Sequence, residues 1–196
     1  MKASEPLLKI RFDGDALGAG RIPVSHLLRF LENFNKALQR TERVMRGVAD
    51  SIRRGAPLQN TREEIALDLV LLTHGSPAAV LGFERRQTEP PLPSMDNGLD
   101  ILENAITGLN IVQGGGDNQP MPAGFDAGVL AAWRDVGSLF RQGVSRIQFT
   151  MLRHGASVCG TYTYSGYERI QQRIQGPQTN IRTIEGRLLM ADFKGH

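Results

Sequence analysis

The sequence predicts an α+β fold: an antiparallel or mixed sheet with two β-hairpins, one long amphipathic helix and two or three shorter helices. Two segments, residues 65–83 and 147–164, each contain a pair of strand-like runs joined by a His-Gly turn. Between residue 24 and the first hairpin, apolar residues recur at three- and four-residue spacing. Because hairpins replace the strand–helix–strand alternation of parallel sheets, antiparallel pairing is favoured.

The first strand and the long helix have the clearest patterns. Residues 7–12 alternate along the chain and stop at Asp13-Gly14-Asp15, which predicts an amphipathic strand. Ser25 stands at a natural N-cap position, and the apolar stripe continues past Gly47, so we expect the helix to extend to about Arg54. The part of the stripe expected to pack on the sheet comprises Leu27, Phe30, Leu31, Phe34 and Leu38.

The later elements follow from turn and cap signals. Asp96 or Asn97 is expected to cap a short helix, and Asp126 to cap another that ends near Gly143. The second hairpin is predicted to direct its apolar alternate residues inward, namely Ile147, Phe149 and Met151. A capping box formed by Ser165 and Glu168 predicts a last helix, which Gly176-Pro177 ends.

Residues 181–193 have the pattern of a final strand, which we expect to pair with the second hairpin and to offer its other edge to a partner. The apolar residues of this interaction strand are Ile181, Ile184, Leu188, Met190 and Phe193. We predict one domain over residues 1–196. The alternative is a division into 1–113 and 125–196, joined by the Gly/Pro-rich segment 114–124.

The composition is that of an ordinary globular domain, with 40% hydrophobic and 22% charged residues among 196. The net charge is only +3, so the distribution of charge matters more than its total. The single cysteine, Cys159, excludes an intrachain disulfide, a Cys-rich zinc site and a CxxC motif. The sequence contains neither a signal-peptide core nor an apolar run long enough to span a bilayer. We therefore expect a cytoplasmic protein without membrane contact.

Signatures of catalysis and of metal binding are weak. Asp13 and Asp15 could face a cation, but a third ligand at a fixed spacing is missing. The glycine-containing loop 14–21 fits neither of the standard phosphate-binding motifs. His154 precedes Cys159 by five residues along a hairpin, a spacing that does not bring an imidazole to a thiol. We therefore predict no catalytic residue, no metal and no cofactor.

The long helix has one basic stripe that could follow a phosphate backbone. Its residues are spaced by four, three, four and three positions, with further arginines beyond. The proposed nucleic-acid contacts are Arg29, Lys36, Arg40, Arg43, Arg46, Arg53 and Arg54, with Asn33 inside the stripe. The alternative is an ordinary solvated face, because Glu32 is placed to pair with Lys36, and Glu42 with Arg46. No aromatic side chain interleaves with the stripe, which weakens base stacking as a binding mode.

The function that these patterns favour is a non-catalytic interaction or assembly module of the bacterial type. It would form a homo-oligomer or bind a protein partner through its terminal strand or its long helix. The first alternative is a nucleic-acid-binding component that uses the Arg-rich face. The second is a small enzyme, which would require a converging pocket of titratable groups that the sequence does not reveal.

Overall fold

The structure is a computed structural model that describes residues 8–14, 17, 21–47, 51, 67–73, 78–83, 97–115, 120–153 and 156–176. The fold is α+β, as predicted. Its elements in chain order are β1 (Leu8–Asp13), α1 (Val24–Met45), β2 (Leu67–Thr73), β3 (Ala78–Phe83), α2 (Asn97–Gly114), α3 (Ala127–Gly137), β4 (Arg146–Arg153), β5 (Ala156–Thr163) and α4 (Tyr164–Gln175). A short 3-10 segment, Ser138–Gln142, joins α3 to the turn before β4.

The five described strands form one sheet in the order β2-β3-β1-β4-β5, and every neighbouring pair is antiparallel. Both predicted hairpins are present, as β2–β3 and β4–β5. The central strand β1 joins them, so described residues on both sides of segment 114–124 share one sheet. A register shift between Leu69 and Leu71 places a bulge in the pairing of β2 with β3.

One face of the sheet carries the core. Leu8, Ile10 and Phe12 of β1 are buried there, and the predicted inward residues of β4 are buried beside them. The helix α1 supplies Phe30, whose ring meets Phe12 edge-on with the centroids 4.9 Å apart. This confirms that the helix packs its predicted apolar face on the sheet, with Leu27, Phe34 and Leu38 buried and Leu31 half-buried.

The helix α1 is shorter than the sequence suggested and begins differently. Pro23, not Ser25, occupies the N-cap position, and its φ of −57° already suits a helix start. At the other end, Gly47 adopts a φ of +76° directly after the C-cap Arg46. This left-handed conformation ends the helix there, so the predicted extension to Arg54 is wrong.

The predicted N-cap residue of α3 is confirmed, whereas the one predicted for α4 is wrong. Asp126 caps α3 as expected, and its carboxylate accepts a hydrogen bond from the Val129 amide. Thr163, not the predicted Ser165, caps α4 and accepts a hydrogen bond from the Gly166 amide. The β-strand conformation of Thr163 suits an N-cap, because β5 leads straight into the helix.

Candidate interaction site

Three residues of the basic stripe on α1 contact α3. The Asn33 amide donates to the Asp135 carbonyl oxygen at 3.0 Å, and the Lys36 ammonium lies 3.4 Å from the Asp135 carboxylate. One turn further, the Arg40 guanidinium donates to the carbonyl oxygen of Gly128 at 2.5 Å. These three contacts bind α1 to its neighbouring helix along most of the length of α3.

The other stripe residues divide into paired and unpaired groups. Arg46 lies 2.6 Å from the carboxylate of Glu42, which confirms that predicted pair. The predicted Glu32–Lys36 pair is absent from the ion pairs of the described residues, because the Lys36 ammonium faces Asp135 instead. Within the same residues, Arg29 and Arg43 have no hydrogen-bond or ion-pair partner.

The candidates Arg53 and Arg54 lie outside the described residues, as does the whole interaction strand 181–193. Nucleic-acid binding by α1 thus stays a prediction. Of the proposed contacts on α1, Arg29 and Arg43 are the ones without a hydrogen-bond or ion-pair partner among the described residues. A polyanion that reached Lys36 or Arg40 would compete with α3 for them.

The outer edge of β5 is closed by two side-chain amides of α2. Asn110 donates to the Cys159 carbonyl at 2.9 Å and accepts from the Thr161 amide at 3.4 Å. Gln113, one turn later, donates to the Thr161 carbonyl at 2.9 Å and accepts from the Thr163 amide at 3.3 Å. The two amides therefore satisfy the backbone groups that a neighbouring strand would otherwise use. We call this arrangement, Asn110 and Gln113 on β5, the amide clamp.

Glycines on β5 and in the first turn of α4 allow α2 to approach this closely. A Cβ atom on Gly160 would lie 2.5 Å from Cγ2 of Ile106, and one on Gly166 would lie 2.1 Å from Oε1 of Gln113. Sequence reasoning did not identify the clamp. The available signal was two amide residues at i and i+3 on the polar side of a helix, a spacing that puts both on one face.

The opposite edge of the sheet is formed by β2. Among the described strands, β2 is hydrogen-bonded to β3 alone, so its other side has no strand partner within this part of the chain. The sequence predicts that residues 181–193 pair with the second hairpin, and this segment lies outside the described residues. The amide clamp occupies the outer side of that hairpin from Cys159 to Thr163, which leaves β2 as the unclosed edge of the described sheet.

The weaker candidates have structural roles or lie partly outside the described residues. The Asp13 carboxylate is bound by Arg11 at 3.0 Å and by Arg146 at 2.8 Å. A Cβ on Gly14 would lie 2.2 Å from the Gly143 carbonyl oxygen, so this glycine permits the turn before β4 to pack closely. Cys159 is exposed, whereas His154 lies outside the described residues. Within the residues that are described, no three His, Cys, Asp or Glu side chains cluster as metal ligands would.

Among the described residues, two ionisable groups have clearly shifted pKa values, and both belong to the scaffold. Burial acts to raise the pKa of Asp126, but hydrogen bonds from Ser51, Val129 and Gly128 outweigh it and place the pKa below its ordinary 3.8. Burial raises the pKa of the Tyr162 hydroxyl well above 10.0, and this hydroxyl donates to the Trp133 carbonyl at 3.0 Å. Neither group lies where the sheet could meet a partner strand.

Comparison with known proteins identifies no relative: no family model, no curated protein and no solved structure matches this chain. Among the helices of the described residues, none combines the length and the apolar character needed to cross a bilayer.

Proposed function

We propose that this chain is a non-catalytic interaction module that takes up a further strand along β2. The observation that carries this proposal is the difference between the two edges of its sheet. On one side the amide clamp closes β5, while on the other side β2 has a strand neighbour only in β3 among the described residues. Unpaired strand edges are a common route to association, because backbone N–H and C=O groups can bind any extended chain.

The sequence of β2 suits such pairing. Its residues, LDLVLLT, include one charged side chain, Asp68, and no proline or lysine. Natural edge strands that must remain unpaired are usually protected by such residues. The bulge between Leu69 and Leu71 locally hinders pairing with another strand. We therefore expect the strongest pairing on either side of it, over residues 67–69 and 71–73.

Residues 181–193, supplied by a second copy of the chain, are the partner strand that we propose for β2. The sequence predicts a strand of substantial apolar character there, and the clamp occupies the edge of β5 from Cys159 to Thr163 as a competing site. This assignment makes the protein a homo-oligomer. An exposed free thiol at Cys159 is best preserved in a reducing compartment, so we place the module in the cytoplasm.

The test compares the full chain with a chain that ends at Gly176. We expect light scattering to give a multiple of 21.6 kDa for the full chain and a monomer mass for the shortened one. We expect circular dichroism to show that the shortened chain keeps its helices, since the core residues of the described part all precede position 177. A synthetic peptide of residues 181–193 should then bind the shortened chain and slow hydrogen exchange in β2.

A matched peptide with Ile184→Pro and Leu188→Pro serves as the control, because proline lacks the N–H group that a strand must donate. It should not bind. A monomeric full chain whose peptide also fails to bind would overturn the proposal. A monomeric full chain whose peptide does bind would show that the strand closes its own sheet, which overturns association between copies.

A further inference from the structure

On the side opposite the helices, the part of the sheet formed by β1, β4 and β5 is open among the described residues, whereas Ala78 and Val80 of β3 are buried there. Lys9, Arg11, Cys159 and Thr161 are exposed there, and no described element packs over them. An antiparallel sheet with one solvated face is ordinary in itself. What distinguishes this face is the arrangement of its charges.

Two arginines on this face are held by one carboxylate. The Nε atom of Arg11 donates to Oδ1 of Asp13 at 3.0 Å, and the Nε atom of Arg146 donates to Oδ2 at 2.8 Å. Arg146 lies directly opposite Asp13 in the β1–β4 register. Within the described residues neither guanidinium has another partner, so the terminal amino groups of both are available. A guanidinium fixed through Nε loses less side-chain freedom when those amino groups bind an anion.

Lys9 continues the row of cations along the strand. It lies four residues before Asp13 on the same face of β1, opposite Thr150, while Arg11 lies opposite Gln148. Lys9 has no hydrogen-bond or ion-pair partner among the described residues. With the one negative charge of Asp13 subtracted, Lys9, Arg11 and Arg146 leave a net charge of +2 along β1 and β4. Amide and hydroxyl groups lie around this charge. Such groups donate hydrogen bonds to phosphate oxygens.

We propose that this open sheet face, defined by Lys9, Arg11, Arg146, Gln148 and Thr150, binds the phosphodiester backbone of a single-stranded nucleic acid. The arginine pair would contact one phosphate and Lys9 a second. A chain of phosphates fits better than a single free phosphate, because the cations are spread along a strand rather than gathered in a pocket. The side chains of Arg11 and Arg146 are 54% and 48% exposed, so one contact alone is largely screened by solvent.

This binding differs from the helix hypothesis of the sequence analysis in both place and mode. Arg29 and Arg43 lie on α1, in the helical layer on the other side of the sheet. The described part of the open face contains no aromatic side chain on β1, β4 or β5 for bases to stack on, so phosphate contacts alone carry the interaction. We therefore expect binding without sequence preference.

The experiment measures the fluorescence anisotropy of a labelled 20-nucleotide oligo-dT with the full chain in about 50 mM salt, where phosphate contacts are strong. Two phosphate contacts predict a slope of log affinity against log salt of about −1.4, at about −0.7 per contact for single strands. The variant Lys9→Gln/Arg146→Gln should lower the affinity about tenfold or more. The charge-matched control Arg29→Gln/Arg43→Gln should change it less than about twofold.

Thermal melts of both variants establish that they are folded, which we expect because Lys9, Arg29 and Arg146 are exposed and Arg43 is half-buried. Three results would overturn the proposal. The unaltered protein could fail to bind the oligonucleotide, or the α1 control could lose as much affinity as the sheet variant. Displacement of the oligonucleotide by millimolar inorganic phosphate at constant ionic strength would point to a site for a free phosphate instead.

Discussion

At the scale of single residues, Phe34 shows how the core is organised. Its ring lies 5.4 Å from that of Phe30, 5.5 Å from Phe149 and 5.8 Å from Trp133, measured between centroids. Helices α1 and α3 and strand β4 therefore meet at this one side chain. Aromatic pairs at such distances add stability beyond the area that they bury.

We expect Phe34→Ala to lower the free energy of unfolding by about 3–5 kcal/mol, because the fully buried ring would leave a cavity among packed neighbours. Leu28→Ala, on the same helix at a position 55% exposed, should cost less than about 0.5 kcal/mol. Urea titrations followed by tryptophan fluorescence would measure both. A loss below about 1 kcal/mol for Phe34→Ala would contradict this packing.

Asp126 links the segment after α1 to the start of α3. Its carboxylate accepts hydrogen bonds from the Ser51 hydroxyl at 2.7 Å, the Ser51 amide at 3.0 Å and the Val129 amide at 2.8 Å. These bonds keep the folded-state pKa below 3.8 although partial burial acts in the opposite direction. The unfolded chain therefore binds the proton more tightly than the folded one.

The sign of the pH dependence follows. Stability from Asp126 is fully present above its ordinary pKa of 3.8 and is lost as the pH falls through the lower folded value. Asp126→Asn keeps a capping side chain without the charge, so it should unfold more easily than the unaltered protein at pH 7. The difference between the two proteins should shrink at pH 3. Urea titrations at both pH values would show this, and an equal difference at both would refute it.

At the scale of elements, the amide clamp gives β5 side-chain hydrogen bonds from a helix, where a neighbouring strand would give backbone hydrogen bonds. The double substitution Asn110→Ala/Gln113→Ala removes four hydrogen bonds to β5 and should lower the unfolding free energy by about 1–3 kcal/mol. It should also expose the edge of β5, so we expect self-association that rises with protein concentration in light scattering.

Asn104→Ala is the matched control for the clamp. Asn104 stands on the same helix, but its amide donates to the Asp100 carbonyl of its own helix at 2.8 Å. This variant should leave the oligomeric state unchanged. A clamp variant with the mass of the unaltered protein at every concentration would show that α2 shields β5 by its bulk rather than through these amides.

The elements that could be predicted are those whose signal is local. Alternation in residues 8–12 and the apolar stripe from Leu27 to Leu38 follow from burial on one side, and both are found. Contacts between distant residues give no such signal. Lys36 faces Asp135, 99 positions away, instead of the nearby Glu32, and nothing in the helix pattern indicates this. The clamp was missed for the same reason, since it joins positions about 50 apart.

At the scale of the whole molecule, the central position of β1 predicts an order of local stability. Its backbone is hydrogen-bonded to β3 on one side and β4 on the other, and its inward residues are buried. We expect the amides of β1 to exchange with solvent most slowly and those of β2 much faster in the chain that ends at Gly176. Hydrogen–deuterium exchange with mass spectrometry would rank the strands. Equal protection of β2 and β1 would contradict the arrangement.

The closed edge at β5 also limits how large an assembly this sheet can build. A continuous sheet has two edges. Every copy of this domain supplies one covered edge, because α2 occupies the outer side of β5. As long as α2 covers β5, one continuous sheet can include no more than two copies, regardless of which strands lie between them. Endless cross-β growth needs both edges of each unit to be available. The helix that covers β5 therefore limits growth of one continuous sheet to two copies.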